Sequence, residues 1–117
     1  YEILREFLPA LDPGYLPEGG TNFKALLETS LSAFASSGTA DRYLIVLSDG
    51  ESQNDDWQAL VPQLVERGVR VVSLGIGTEP GAMIPDGEGS FVKDERGAVV
   101  MTRLQGGTLR DLAQRTQ

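Results

Sequence analysis

The chain has 117 residues, 40% of them apolar and 23% charged, with a formal net charge of −7 and neither cysteine nor histidine. That length allows at most one domain, with roughly 6,200 Å² of folded surface against about 18,000 Å² unfolded, enough burial for a real core. The acid excess argues against nucleic acid, whose phosphates demand a basic face, and without Cys or His there are no disulfides, no thiolate chemistry and no metal other than a hard, oxygen-bound cation.

In chain order, Tyr1 to Leu11 places Ile3, Leu4, Phe7, Leu8 and Leu11 on one helical stripe, closed by Pro13-Gly14. A loop rich in Pro and Gly, PGYLPEGGTN, leads to a second helix from Phe23 to Ala35. Its inner face is Phe23, Leu26, Leu27, Leu31 and Phe34, and Ser36-Ser37-Gly38 ends it. Arg42 to Ser48 reads as a strand. Nothing polar interrupts Tyr43 to Leu47, the pattern of a parallel strand covered on both faces.

Trp57, Leu60, Val61, Leu64 and Val65 recur at spacings of three and four, predicting a third helix that ends at Gly68 and that Pro62 kinks or restarts. Val69 to Leu74 is a second strand, leaving through Gly75-Ile76-Gly77. The stretch GSFVKDERGAVVMTRL predicts a hairpin about Asp94-Glu95-Arg96-Gly97, with Lys93 and Arg96 on its surface. Thr108 and Asp111 have the spacing of a capping box, opening a last helix with Leu109 and Leu112 inward.

Helix, strand, helix, strand, hairpin, helix predicts an α/β layered fold with parallel strands joined by right-handed crossovers. Two buried strands are too few, because the apolar edge of Tyr43 to Leu47 would face water. The expectation is therefore that strands are missing from this chain, or that the edge pairs with a second copy in a symmetric or swapped dimer. An opening in mid-helix, with no Met, fits an excised segment. No apolar run approaches the ~20 residues of a membrane helix, so no membrane contact is expected of the segment itself.

Ligands of open α/β sheets bind beyond the carboxyl ends of the strands. Asp49 lies at such an end, in YLIVLSDGESQNDD, and the Gly19-Gly20-Thr21-Asn22 loop should reach the same rim. A carboxylate, a Thr hydroxyl and the nearby Ser48 hydroxyl suit Mg²⁺, which keeps several waters and needs only one or two carboxylates. Bland readings stand beside this one. Asp49 can be an Asp-Gly turn residue and Thr21 a helix N-cap. Glu51, Asp55 and Asp56 lack the spacing of a calcium loop, and Asp55 or Asp56 reads as a cap for the Trp57 helix. Gly75-Ile76-Gly77 has its next glycine misplaced at Gly81 for a dinucleotide loop and reads as a strand exit.

EGGTNFKALLETSLSAF, YLIVLSDGE and VRVVSLGIGT, in this order, resemble a von Willebrand factor A (VWA) domain. The stretch GTEPGAMIPDGEGSFVKDERGAVVMTRLQGGTLRDLAQRT resembles most closely the bacterial aerotolerance, or Bat-type, VWA proteins. The resemblance implies a doubly wound, mainly parallel, Rossmann-like sheet of which residues 1–117 form a single partial domain, truncated at both ends. It implies a metal-ion-dependent adhesion site in which Thr21 is the hydroxyl ligand of the second loop and Asp49 the acid of the third. The Asp-x-Ser-x-Ser loop that completes such a site has no counterpart here.

The function implied is protein–protein interaction through a divalent cation, Mg²⁺ or else Mn²⁺ or Ca²⁺, completed by an acidic side chain of the partner. Binding by this segment alone is expected to be weak or absent. The resemblance also implies an extracytoplasmic module of a membrane-anchored parent, and no reaction. Two alternatives remain: an Asp49-dependent phosphatase or phospho-acceptor enzyme, for which Glu51 stands at the right offset but no later Lys does, and a fragment with no ligand of its own.

Overall fold

The computed structural model describes residues 1–15, 20–34 and 40–117. Gly19, Ala35 and the Ser36-Ser37-Gly38 helix stop lie outside the described residues. The first helix, α1, runs only from Glu2 to Phe7 and tightens into a 3₁₀ turn at Leu8–Ala10. Pro9 accounts for the early end, since it has no N–H to continue the helical ladder. The stripe of Ile3, Leu4, Phe7, Leu8 and Leu11 is not inward: all five side chains are largely exposed.

Helix α2 (Phe23–Phe34) follows the expected spacing, burying Phe23, Leu27 and Leu31 with Leu26 and Phe34 at the margin of the core. Strands β1 (Arg42–Ser48) and β2 (Val69–Gly75) pair in parallel, Arg42 opposite Val69 through Ser48 opposite Gly75. The segment between them begins as a 3₁₀ turn, Asp56–Leu60, and becomes helix α3 (Val61–Glu66) with Pro62 in its first turn, where a missing N–H costs nothing. The proline thus restarts the helix. Gly68, at φ +64, then provides the left-handed residue that turns the chain into β2.

Beyond β2 the chain forms an irregular antiparallel ribbon. Strand β3 (Ala82–Met83) pairs with β4 (Met101–Thr102), and bridges join Pro85 to Phe91 and Lys93 to Val99. The predicted turn is present: the Asp94 carboxylate accepts from the Arg96 and Ala98 N–H groups at 2.9 Å. Helix α4 spans Gly106–Arg115 and so starts before Thr108. The Thr108 capping box is not formed; Asp111 instead faces Arg115 one turn on, at 3.3 Å.

One apolar cluster holds these elements together. Phe23, Leu27 and Leu31 of α2, Trp57 and Leu60, Val61 and Leu64 of α3, and Leu109 and Leu112 of α4 all pack on Val46, Val69 and Val71. Along the strands side chains alternate between faces, so the helices cover one face of the parallel pair. On the other face Tyr43, Ile45, Leu47, Val72 and Leu74 are exposed. The expectation of a strand covered on both faces therefore fails for β1, because among the described residues nothing packs on its second face.

Thr116 closes the end of the fold. It is 3% exposed, its hydroxyl donates to the Leu112 carbonyl at 3.1 Å, and its oxygen accepts from the Val71 N–H at 3.0 Å. A side chain at the end of α4 thereby satisfies a backbone donor that β2 would otherwise offer to a further strand.

Candidate functional site

Strand β1 delivers Ser48 and Asp49 to its carboxyl end. The turn beyond them requires Gly50, which sits at φ +83 with its α-carbon against the Gln105 carbonyl, leaving no room for a side chain. Asp49 is held from three directions. Its Oδ1 accepts from the Glu51 N–H at 3.1 Å, its Oδ2 accepts from the Thr102 hydroxyl at 3.1 Å, and its carbonyl accepts from the Gln105 N–H at 2.7 Å. The first of these bonds is the plain Asp-Gly turn. The other two come from the ribbon and the start of α4, more than fifty residues away. Ser48 is turned inward as well, its Oγ accepting from the Gly50 N–H at 3.1 Å.

Thr21 reaches the same rim. Its carbonyl accepts from the Gln53 N–H at 3.3 Å, pinning the loop before α2 to the loop after β1. It does not cap α2: the Asn22 side chain does so, its Oδ1 accepting from the Ala25 N–H at 3.0 Å. The capping alternative for Thr21 is corrected on that geometry.

Thr21, Ser48, Asp49 and Thr102, with Leu47, Ile76 and Gly77, line one open cavity of about 430 Å³. Two residues that the sequence singled out, 21 and 49, thus line one cavity at the carboxyl rim of the parallel strands. The sequence reading missed Thr102. No local pattern marks it, because only the return of the ribbon carries it across.

The donor set at this cavity is one carboxylate and three hydroxyls. That is the right chemistry for a hard cation and supplies a single negative charge; the remaining positions of an octahedral shell would fall to water or to groups from elsewhere. No cluster of three or more acidic side chains forms among the described residues. Glu51 lines a smaller neighbouring cavity of about 160 Å³ with Gly20, Thr21, Ser52 and Gln53. Asp56 faces Lys24 at 3.9 Å, and the turn at Asp55 is capped by backbone rather than by its carboxylate. No lysine lines the Asp49 cavity, so a phospho-acceptor centre would lack its usual cation there.

A second cavity, of about 300 Å³, lies at the opposite end of the strands, between Arg42, Tyr43, Arg70 and Thr116. Its arginines are committed to the fold. Arg42 donates to the Arg67 carbonyl at 2.7 Å, and Arg70 donates to the Tyr43 hydroxyl at 3.2 Å while stacking on its ring.

A parallel strand pair with a helical crossover and, at its carboxyl rim, a cavity where one carboxylate and three hydroxyls stand beside Leu47 and Ile76 defines an α/β, Rossmann-like domain. Two solved structures share this arrangement closely. One is described as conserved hypothetical protein BatB from Bacteroides thetaiotaomicron, 27% identical, with a TM-score of 0.90. The other is an aerotolerance-related membrane protein from Bacteroides fragilis, also 27% identical, with a TM-score of 0.89. Each match covers 99% of this chain, which spans 57% and 58% of those chains respectively. The chain thus has the fold of BatB-type, aerotolerance-related proteins over a little more than half their length. No family model matches the chain, and no curated protein does.

Proposed function

We propose that the chain is the carboxyl-terminal part of a VWA-type module that binds another protein through a divalent cation, and that it catalyses no reaction. Thr21 and Asp49 would hold the ion, Mg²⁺ in the first instance or else Mn²⁺ or Ca²⁺, with Ser48 and Thr102 beside them. The ion would bring an open coordination position that an acidic side chain of the partner completes. The observation that carries this reading is the convergence of Thr21, Ser48, Asp49 and Thr102 on one cavity at the strand rim. With a single carboxylate, this segment alone would bind the ion weakly, the missing ligands belonging to a loop outside residues 1–117.

The parent is proposed to be membrane-anchored, with the module outside the cytoplasm. Support comes from the Bacteroides fragilis neighbour, described as a membrane protein. No helix among the described residues is long and apolar enough to cross a membrane.

Paramagnetic broadening by substoichiometric Mn²⁺ tests the site even when affinity is low. The amide signals of Thr21, Asp49 and Gly50 should broaden first, and Asp49→Asn should remove the effect. Broadening centred on Asp55 and Asp56, or unchanged by that substitution, would overturn the cation reading.

A further inference from the structure

Both oxygens of the Asp49 carboxylate are engaged, by different parts of the chain. Oδ1 accepts from the Glu51 N–H and Oδ2 from the Thr102 hydroxyl, each at 3.1 Å. The first bond is local to the turn. The second comes from a residue that lines the same cavity as Asp49, so the hydroxyl meets Oδ2 within the wall that a bound ion would face.

The backbone around Thr102 fixes that hydroxyl in place. Thr102 pairs with Ala82 across the ribbon, and its carbonyl lies so close to Gly81 that a Cβ there would stand 2.8 Å from the oxygen. Two residues on, the Leu104 N–H donates to the Thr78 carbonyl at 2.9 Å, and the Gln105 N–H donates to the Asp49 carbonyl at 2.7 Å. The Leu104 side chain covers Gly75, where an added Cβ would meet it at 2.9 Å. Residues 102–105 are thus fastened to the exits of both parallel strands. Thr102 can release Oδ2 by turning its own side chain, but not by a shift of the chain that spares these bonds.

We infer that Thr102 is a positioning residue that holds Asp49 to coordination through one oxygen and thereby selects Mg²⁺ and Mn²⁺ over Ca²⁺. The inference rests on the proposed cation site and decides among the ions that site admits. Mg²⁺ takes an octahedral shell, keeps several waters and needs only single oxygens from the protein. Ca²⁺ takes about six to eight oxygens and often draws on both oxygens of a carboxylate. At Asp49 the two-oxygen mode would set the hydroxyl proton and the ion, both positive, on the same oxygen at close range. A second carboxylate is not at hand to compensate, because Glu51 lines the neighbouring cavity instead.

The test uses the 117-residue chain and the broadening of the Gly50 amide by Mn²⁺, reversed by adding Mg²⁺ or Ca²⁺. Mg²⁺ should reverse it at the lower concentration. Thr102→Val keeps the branched shape that suits β4 and removes the donor. It should move the ratio of the Ca²⁺ to the Mg²⁺ concentration roughly tenfold in favour of Ca²⁺, the size of effect that an outer partner of a metal-binding carboxylate exerts. Thr102→Ser should keep the original ratio. A merely structural residue would weaken all three ions together, and that result, including loss of the Mn²⁺ effect in Thr102→Val, would overturn the inference. So would an unchanged ratio, a Thr102→Ser variant that behaves like Thr102→Val, or reversal by Ca²⁺ at the lower concentration in the unaltered chain. In each of those cases broadening of the unaltered chain at Asp49 leaves the cation reading standing, whereas its absence there removes both.

Discussion

At the scale of single residues, Thr21 and Asn22 are neighbours with separate tasks. Asn22 satisfies the Ala25 N–H at the start of α2, whereas the Thr21 side chain caps nothing and lines the rim cavity. Asn22→Ala should therefore lower the unfolding free energy by about 1 kcal/mol. Thr21→Ala should cost no more than about 0.5 kcal/mol, the range of a surface change that breaks no buried bond. Urea denaturation of both variants checks the pair, and equal losses would return Thr21 to a capping role. Asp49 is legible in the sequence because a run of apolar residues ends on it. Thr102, which holds the other carboxylate oxygen, is not, since its partner lies 53 positions away.

At the scale of elements, the apolar spacing located the helices and the inner faces of α2 and α4, but not of α1, whose stripe is exposed, and the ends were decided by groups that the spacing does not contain. Pro9 shortens α1, and α4 starts at Gly106, directly after Gln105, whose N–H is tied to the Asp49 carbonyl. Besides the packing of Leu109 and Leu112, the contact of α4 with β2 includes Thr116, whose oxygen is the partner of a buried strand N–H. Thr116→Val keeps the shape and removes that acceptor, so it should destabilise the chain by about 1–3 kcal/mol. Thr116→Ser should recover most of the loss. Thermal unfolding of the two variants separates a hydrogen-bonding role from one of packing alone.

At the scale of the whole molecule, one layer of helices lies on the two-stranded parallel sheet among the described residues, and the Asp49 cavity at its rim is open to solvent. A cation held there by one carboxylate gains little. With a dissociation constant ten times the Mg²⁺ concentration, the stabilisation is about 0.06 kcal/mol. Millimolar Mg²⁺ should accordingly shift the Tm by less than about 1 °C. A rise of several degrees in a calorimetric scan would mean that Thr21, Asp49 and the hydroxyls beside them suffice without a further loop.

The sequence by itself determined the order of elements, the parallel strand pair, the inner faces of α2 and α4, and the choice of Thr21 and Asp49 as candidates. These follow from periodicity, from turn residues and from the position of an acid after an apolar run, all of which are local. It did not determine that β1 is covered on one face only, that the α1 stripe faces solvent, or that Thr102 and Thr116 bind Asp49 and Val71. An apolar side chain is suited to burial wherever it stands, but whether it is buried depends on a neighbour, and a hydroxyl finds its acceptor only when distant parts of the chain have met.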